Sequence, residues 1–239
     1  MASDMVTVTS ADGKAFQCYV AHAAQKPAPV IVIIQEIFGI TDWLKNYAND
    51  LAKAGFIAVV PDMFFRLEPN LKLDDNNPKD LEKAFKCYGD FDQSQGLKDL
   101  SDVVKYARTM DGSNGKVGCA GFCLGGLMAF QMACHSDVDS TVAYYGGGID
   151  SKLDLADKIK HPILLHFAEQ DKFIPEAALK KIADKLSHVK HAAVHQYPKM
   201  DHAFARVGGH AYDKASADLA NRRTIEFFEK TLTAAHVTA

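Results

Sequence analysis

The chain has 239 residues, enough for one generous domain with a sizeable core, and its 48% hydrophobic and 24% charged content is ordinary for a globular protein. A formal net charge of −3 and a pI near 6.3, with no basic run or block of like charge, give no electrostatic basis for nucleic acid or an anionic membrane as partner. The longest aliphatic run, 30–34, is too short to span a bilayer, and Met1-Ala2-Ser3-Asp4-Met5 lacks a cationic start followed by an apolar stretch, so a cytoplasmic location is expected.

Apolar, β-branched segments alternate with stretches of helical periodicity, which predicts α/β architecture with a largely parallel sheet. Strands are expected over 6–9 and 15–20, with Asp12-Gly13 as a hairpin turn between them, then over 30–35 and 57–60 around a helix at 41–54. Residues 67–92 are polar and irregular, with Pro69, Pro78 and the run Asp74-Asp75-Asn76-Asn77; they read as an excursion over the sheet edge, either a lid or an insertion. Further along, strands at 116–120, 140–145, 163–167 and 192–197 alternate with helices at 96–109, 124–134, 175–186 and 214–232. No repeat, low-complexity segment or linker divides the chain, so 1–239 reads as a single domain.

Five cysteines (Cys18, Cys87, Cys119, Cys123 and Cys134) are an odd number with no secretion signal, which argues for reduced thiols over a disulfide framework. One of them stands in Gly121-Phe122-Cys123-Leu124-Gly125, between a short buried strand and a helix, the context of a nucleophile elbow with cysteine in place of serine. The flanking glycines permit a sharp turn, and the helix start offers unpaired N–H groups and a positive dipole end, a field that favours thiolate over thiol. Alone, the pentapeptide fits an inert packing turn as well as a nucleophile.

A thiol at an elbow needs a base, and the base an orienting acid. Asp171 follows the strand ending in His166-Phe167, and His202 lies after the last strand and before the last helix. Taken singly, Asp171 also fits a helix cap, and His202 is one of ten histidines. The order nucleophile, acid, histidine is that of the α/β-hydrolases, whose carboxyl-end loops meet in one crevice.

With these residues assembled, the chain resembles the dienelactone hydrolases (carboxymethylenebutenolidases), a cysteine-using branch of the α/β-hydrolases. The resemblance runs nearly end to end. It includes Gly121-Phe122-Cys123-Leu124-Gly125-Gly126, Gln35-Glu36-Ile37-Phe38-Gly39, Tyr144-Tyr145-Gly146, Glu169-Gln170-Asp171 and Asp201-His202-Ala203-Phe204. It implies an α/β-hydrolase fold, with a mostly parallel sheet of eight strands and helices on both faces. It also implies hydrolysis of a lactone or activated ester, with Cys123 as nucleophile, His202 as base and acid, and Asp171 as orienting carboxylate. By the same resemblance, Glu36 contacts the resting thiol and takes its proton when substrate binds, sparing an exposed thiolate from oxidation. The N–H groups of Ile37 and Leu124 would form the oxyanion hole.

On the substrate side, the resemblance makes Arg206 the group that binds a substrate carboxylate, for which its planar fork is suited. The family's second arginine has no clear counterpart: Arg66 follows Pro61-Asp62, and then only lysines occur through Leu81-Glu82-Lys83-Ala84-Phe85-Lys86-Cys87-Tyr88. Phe85, Tyr88, Phe173 and Tyr144 are expected wall residues, whereas Phe38 and Trp43 read as packing. His191 and His195 flank a strand, and neither H-E-x-x-H nor paired C-x-x-C occurs, so neither metal nor cofactor is expected. The expected partner is a small lactone or ester, and the expected state a monomer. A general carboxylesterase acting on uncharged esters, or a thiol redox sensor or binder on the same fold, stay open as alternatives.

Overall fold

The computed structural model describes residues 2–233. Strands β1 (Ser3–Thr9) and β2 (Ala15–Ala21) form an antiparallel hairpin in which Val8 faces Phe16, and the connection turns at Gly13, whose φ is 84°. β3 (Ala28–Ile34), β4 (Ile57–Pro61), β5 (Ser113–Phe122), β6 (Ser140–Tyr144), β7 (Ile163–Ala168) and β8 (Ala192–Tyr197) complete one eight-stranded sheet in the order β1-β2-β4-β3-β5-β6-β7-β8. From β4 onward every pairing is parallel. Parallel strands covered on both faces read as unbroken apolar runs, and β3, Ala-Pro-Val-Ile-Val-Ile-Ile, is buried along its whole length.

The helices are α1 (Asp42–Lys53), α2 (Pro78–Asp90), α3 (Gln93–Thr109), α4 (Leu124–His135), α5 (Glu176–Leu186) and α6 (Lys214–Phe228). α4 is apolar all round, as a helix enclosed by protein must be, and is buried at every residue from Leu124 to Cys134. α1 and α3 are amphipathic and capped by side chains, Thr41 accepting from the Leu44 amide and Asp92 from that of Gln95.

The irregular excursion expected over 67–92 is corrected in its second half, where α2 forms. Asn77 caps it by accepting from the Lys79 amide at 3.0 Å, Pro78 occupies its first turn, and Ala84 and Cys87 bury one narrow stripe. Two further differences concern ends. A 3-10 helix, Ile149–Lys158, fills the connection from β6 to β7, and α6 stops at Phe228, passing into a single wider turn at Glu229–Thr233 in place of continuous helix to 232. No described helix is long and apolar enough to cross a membrane.

Candidate active site

The elbow forms where β5 runs into α4. Cys123 adopts φ 55° and ψ −115°, a backbone state that costs a non-glycine residue about 1–3 kcal/mol. The turn is held by the Cys123 N–H donating to the Tyr144 carbonyl and by the Leu127 N–H donating to that of Cys123, both at 3.1 Å. Glycine is obligatory on either side for reasons of space: a Cβ on Gly121 would stand 1.9 Å from the Gly125 carbonyl oxygen, and one on Gly125 2.2 Å from that of Ile34. The elbow therefore closes on itself and presses against the end of β3. Cys123 emerges half-buried at the N-terminus of α4.

Asp171 and His202 arrive from the exits of β7 and β8, which are stitched together by the Glu169 N–H donating to the Tyr197 carbonyl (3.0 Å) and the Gln170 N–H to that of Met200 (2.8 Å). Asp171 is buried; its Oδ2 lies 2.8 Å from His202 Nδ1, and its Oδ1 accepts from the Phe173 amide at 2.8 Å. An ionised carboxylate only accepts, so Nδ1 carries the proton of the neutral ring and leaves Nε2 as base. Asp201 steadies the same loop, accepting from the His202 amide at 2.7 Å and pairing with the Lys172 ammonium at 2.7 Å. Nε2 is buried and lacks a hydrogen-bond partner among the described residues.

Cys123 neighbours this ring without meeting hydrogen-bond geometry, so it acts on His202 chiefly as charge. Burial disfavours the imidazolium, yet the interaction with Cys123 and the hydrogen bond that Nδ1–H donates to Asp171 outweigh it and push the His202 pKa up to about 10.

Glu36 follows β3 and is almost wholly buried. Burial raises its pKa, and the charges of Arg206 and His202 oppose that only in part. Arg206 places one Nη 3.6 Å from Glu36 Oε2, donates from the other to Asp75 Oδ2 at 2.6 Å, and lies over the Phe38 ring at 5.0 Å. Glu36 makes no hydrogen bond to the Cys123 thiol among the described residues; its partner is Arg206. The Ile37 and Leu124 amides, by contrast, donate to no acceptor among the described residues. Both residues line the same cavity as Cys123.

That cavity measures about 930 Å³ and brings together Cys123, His202, Glu36 and Arg206. Phe85, Tyr88 and Phe173 line it as expected of wall residues and remain substantially exposed at its mouth. Phe173 also packs edge-on against the His202 ring at 4.9 Å.

Tyr144 is the exception among the expected wall residues. It is fully buried and points its hydroxyl at Asn221 and Thr224 of α6, away from the cavity. The adjacent Tyr145 packs edge-on against His202 at 5.0 Å, with its hydroxyl unpartnered among the described residues and its φ at 36°. Burial, aided by the charge of Glu36, raises its pKa well above the usual phenol range. A positive φ just past β6 was not readable from the motif Tyr144-Tyr145-Gly146, and the choice between the two tyrosines turned on it.

Arg66 does not line the cavity; it forms ion pairs with Asp12 and Asp99 at 2.7 Å each. Leu81, Asp75 and Tyr212 line it without having been singled out in the sequence. Among the described residues, no group of three or more His, Cys, Asp or Glu could hold a metal ion.

The model of the Dienelactone hydrolase family matches residues 16–232. Carboxymethylenebutenolidase 1 of Cupriavidus pinatubonensis is 38% identical over 226 residues, covering 95% of this chain and 96% of the relative. Carboxymethylenebutenolidase of Pseudomonas putida is 38% identical over 227 residues with the same coverage. The crystal structure of a dienelactone hydrolase from Anabaena variabilis superposes with a TM-score of 0.72 at 15% identity, covering 97% of this chain and 98% of that one, a likeness of fold. The fold is that of the α/β-hydrolases, and the chain belongs to the dienelactone hydrolase family, as a hydrolase of carboxylic esters or lactones.

Proposed function

We propose that the protein cleaves a lactone or activated ester through Cys123 as nucleophile, His202 as general base and acid, and Asp171 as the carboxylate that orients the ring. Glu36 is the acceptor of the thiol proton, and the Ile37 and Leu124 amides are the oxyanion hole. The observation that carries the reading is the 2.8 Å bond between Asp171 and His202 Nδ1, which leaves a buried, unpartnered Nε2 beside a cysteine held in a strained elbow.

The chemistry then runs in two halves. Glu36, turning from Arg206 to the thiol, takes the proton, and Sγ bonds to the carbonyl carbon while the two amides hold the oxyanion. Collapse breaks the carbon–oxygen bond of the ester. An enolate departs unaided, whereas a poorer leaving group takes its proton from His202. The thiolate that Glu36 forms raises the His202 pKa, and acylation removes that sulfur charge, so burial lowers the pKa toward the range of a working base. His202 then takes a proton from water, the water oxygen bonds to the thioester carbon, and the carbon–sulfur bond breaks to release the acid. The protons held on His202 and Glu36 return to sulfur and to solvent.

A thiol sensor needs neither the Asp171–His202 pair nor free amides beside the thiol, which favours the hydrolase over that alternative. Turnover of p-nitrophenyl acetate is the test: it is expected in the wild type and expected to vanish in Cys123→Ala. Wild-type-like hydrolysis in that variant refutes Cys123 as nucleophile. Labelling of Cys123 by iodoacetamide with no ester turned over supports the sensor instead.

A further inference from the structure

Arg206 is already occupied. Its two Nη atoms face Asp75 Oδ2 at 2.6 Å and Glu36 Oε2 at 3.6 Å, so two carboxylates share one guanidinium. The Arg206 and Asp75 side chains are only 15% and 16% exposed, deep enough for the charges to act with little screening. Phe38 fills one face of the guanidinium plane. The fork that would otherwise grip a ligand carboxylate is filled by a carboxylate of the chain itself.

The rest of the cavity does not restore the missing cation. The side chains that α2 contributes to the lining are Leu81, Phe85 and Tyr88, all uncharged. Lys83 and Lys86 on the same helix pair with Glu68 and Asp90, at 2.7 and 2.5 Å. Lys172 is bound to Asp201, and Arg66 is bound to Asp12 and Asp99 outside the cavity. Lys199 lines the cavity but is exposed at its rim, where solvent screens it. An incoming anion would therefore meet Glu36 and Asp75 around Arg206, with the lining lysines paired or at the rim and His202 paired with Asp171, whereas a neutral ester would meet an apolar wall.

We infer that Asp75 is a specificity-determining residue that occupies the Arg206 fork in place of a substrate carboxylate, so that the cavity selects uncharged lactones and esters over carboxylate-bearing ones. This rests on the hydrolase reading above and names the substrate class of that same site. Asp75 stands in the segment leading into α2, so its bond to Arg206 also ties that segment to the loop after His202. Specificity here works by exclusion as much as by attraction, since the half-buried Asp75 carboxylate repels the competitor.

The test compares kcat/KM for mono-p-nitrophenyl adipate and for its methyl ester, which differ only at the distal end, a carboxylate in one and an uncharged methyl ester in the other. The wild type is expected to prefer the methyl ester. In Asp75→Asn the ratio of anionic to neutral kcat/KM is expected to rise by about tenfold or more, because the fork is released to a charge-assisted bond. Adding Arg206→Met to Asp75→Asn is expected to abolish that gain. Adipate binding measured by calorimetry needs no turnover and is expected to tighten by a similar factor in Asp75→Asn.

Turnover of both esters with an unchanged ratio in Asp75→Asn overturns the inference and leaves the hydrolase reading standing. Failure of the wild type to hydrolyse either ester counts against the hydrolase reading, and the calorimetry then decides the inference: tighter adipate binding supports it, and equal binding overturns it. Asp75→Ala guards against a folding artefact in the asparagine variant. It is expected to move the ratio the same way, and the opposite movement overturns the inference.

Discussion

Replacing Gly125 with alanine adds one methyl group at the point where α4 meets the end of β3. The new Cβ would stand 2.2 Å from the Ile34 carbonyl oxygen and 2.6 Å from that of Gln35, whereas ordinary contact begins at 3.4 Å. Both obstacles are backbone, so neither swings aside as a side chain would. Relief requires α4 and β3 to part by about 1 Å, which draws the Leu124 amide away from the Ile37 amide; a misplacement of that size costs about 100-fold in rate. Overpacking of this kind also costs about 1–3 kcal/mol of stability, for a chain of this length a Tm lowered by roughly 2–4 °C per kcal/mol.

The variant is therefore expected to fold, to melt several degrees lower and to lose about two orders of magnitude in kcat on p-nitrophenyl acetate. Iodoacetamide is expected to alkylate Cys123 still, because alkylation needs no oxyanion hole. That contrast separates a displaced oxyanion hole from a collapsed elbow. Turnover close to that of the wild type at an unchanged Tm would refute the claim that the elbow presses on β3 and that the two amides act together.

Asp171→Asn keeps the shape of the side chain but offers an amide where His202 Nδ1 now donates at 2.8 Å, so the ring turns to the wrong tautomer; kcat is expected to fall by about 10³ to 10⁴, with KM little changed. A fall of less than about tenfold would remove Asp171 from the catalytic set. The His202 ring is expected to titrate near pH 10 by NMR, and lower in Cys123→Ala, where the raising charge is gone. Because the folded value lies above the unfolded one of about 6.5, the linked stability is fully present below that pH and is lost as pH rises through about 10. Identical His202 titrations in the two proteins would show that Cys123 does not act on the ring.

The parallel core was legible because burial on both faces leaves strands such as β3 as unbroken apolar runs, and each lies within a few residues of its predicted place. The elbow was legible for a sharper reason: the two glycines answer a steric demand that any larger residue would violate. α2 was obscured by its own start signal. Asn77-Pro78 breaks a helix when read from within and begins one when read as cap and first residue, and only the burial of Ala84 and Cys87 decides between the two. Tyr144 and Tyr145 were indistinguishable for a related reason. Which of them meets His202 depends on where β6 ends, and Tyr145, at φ 36°, lies just past that end.

Arg206 marks a different boundary. Its presence four residues after His202 was plain, and the lack of a second arginine on α2 was plain too, but neither reveals the charge state of the finished cavity. That state depends on Asp75, which reaches the guanidinium from 131 positions away along the chain. A run of Asp74-Asp75-Asn76-Asn77 in a polar segment reads as solvated turn, and three of its four residues are exposed. Asp75 alone turns inward, because a carboxylate gains more from a buried guanidinium than from water only when that cation would otherwise lack full compensation. Glu36, at 3.6 Å and with its own ionisation disfavoured by burial, supplies that compensation incompletely. The weak partnership of Glu36 with Arg206 thus leaves the guanidinium open to Asp75, which binds it at 2.6 Å.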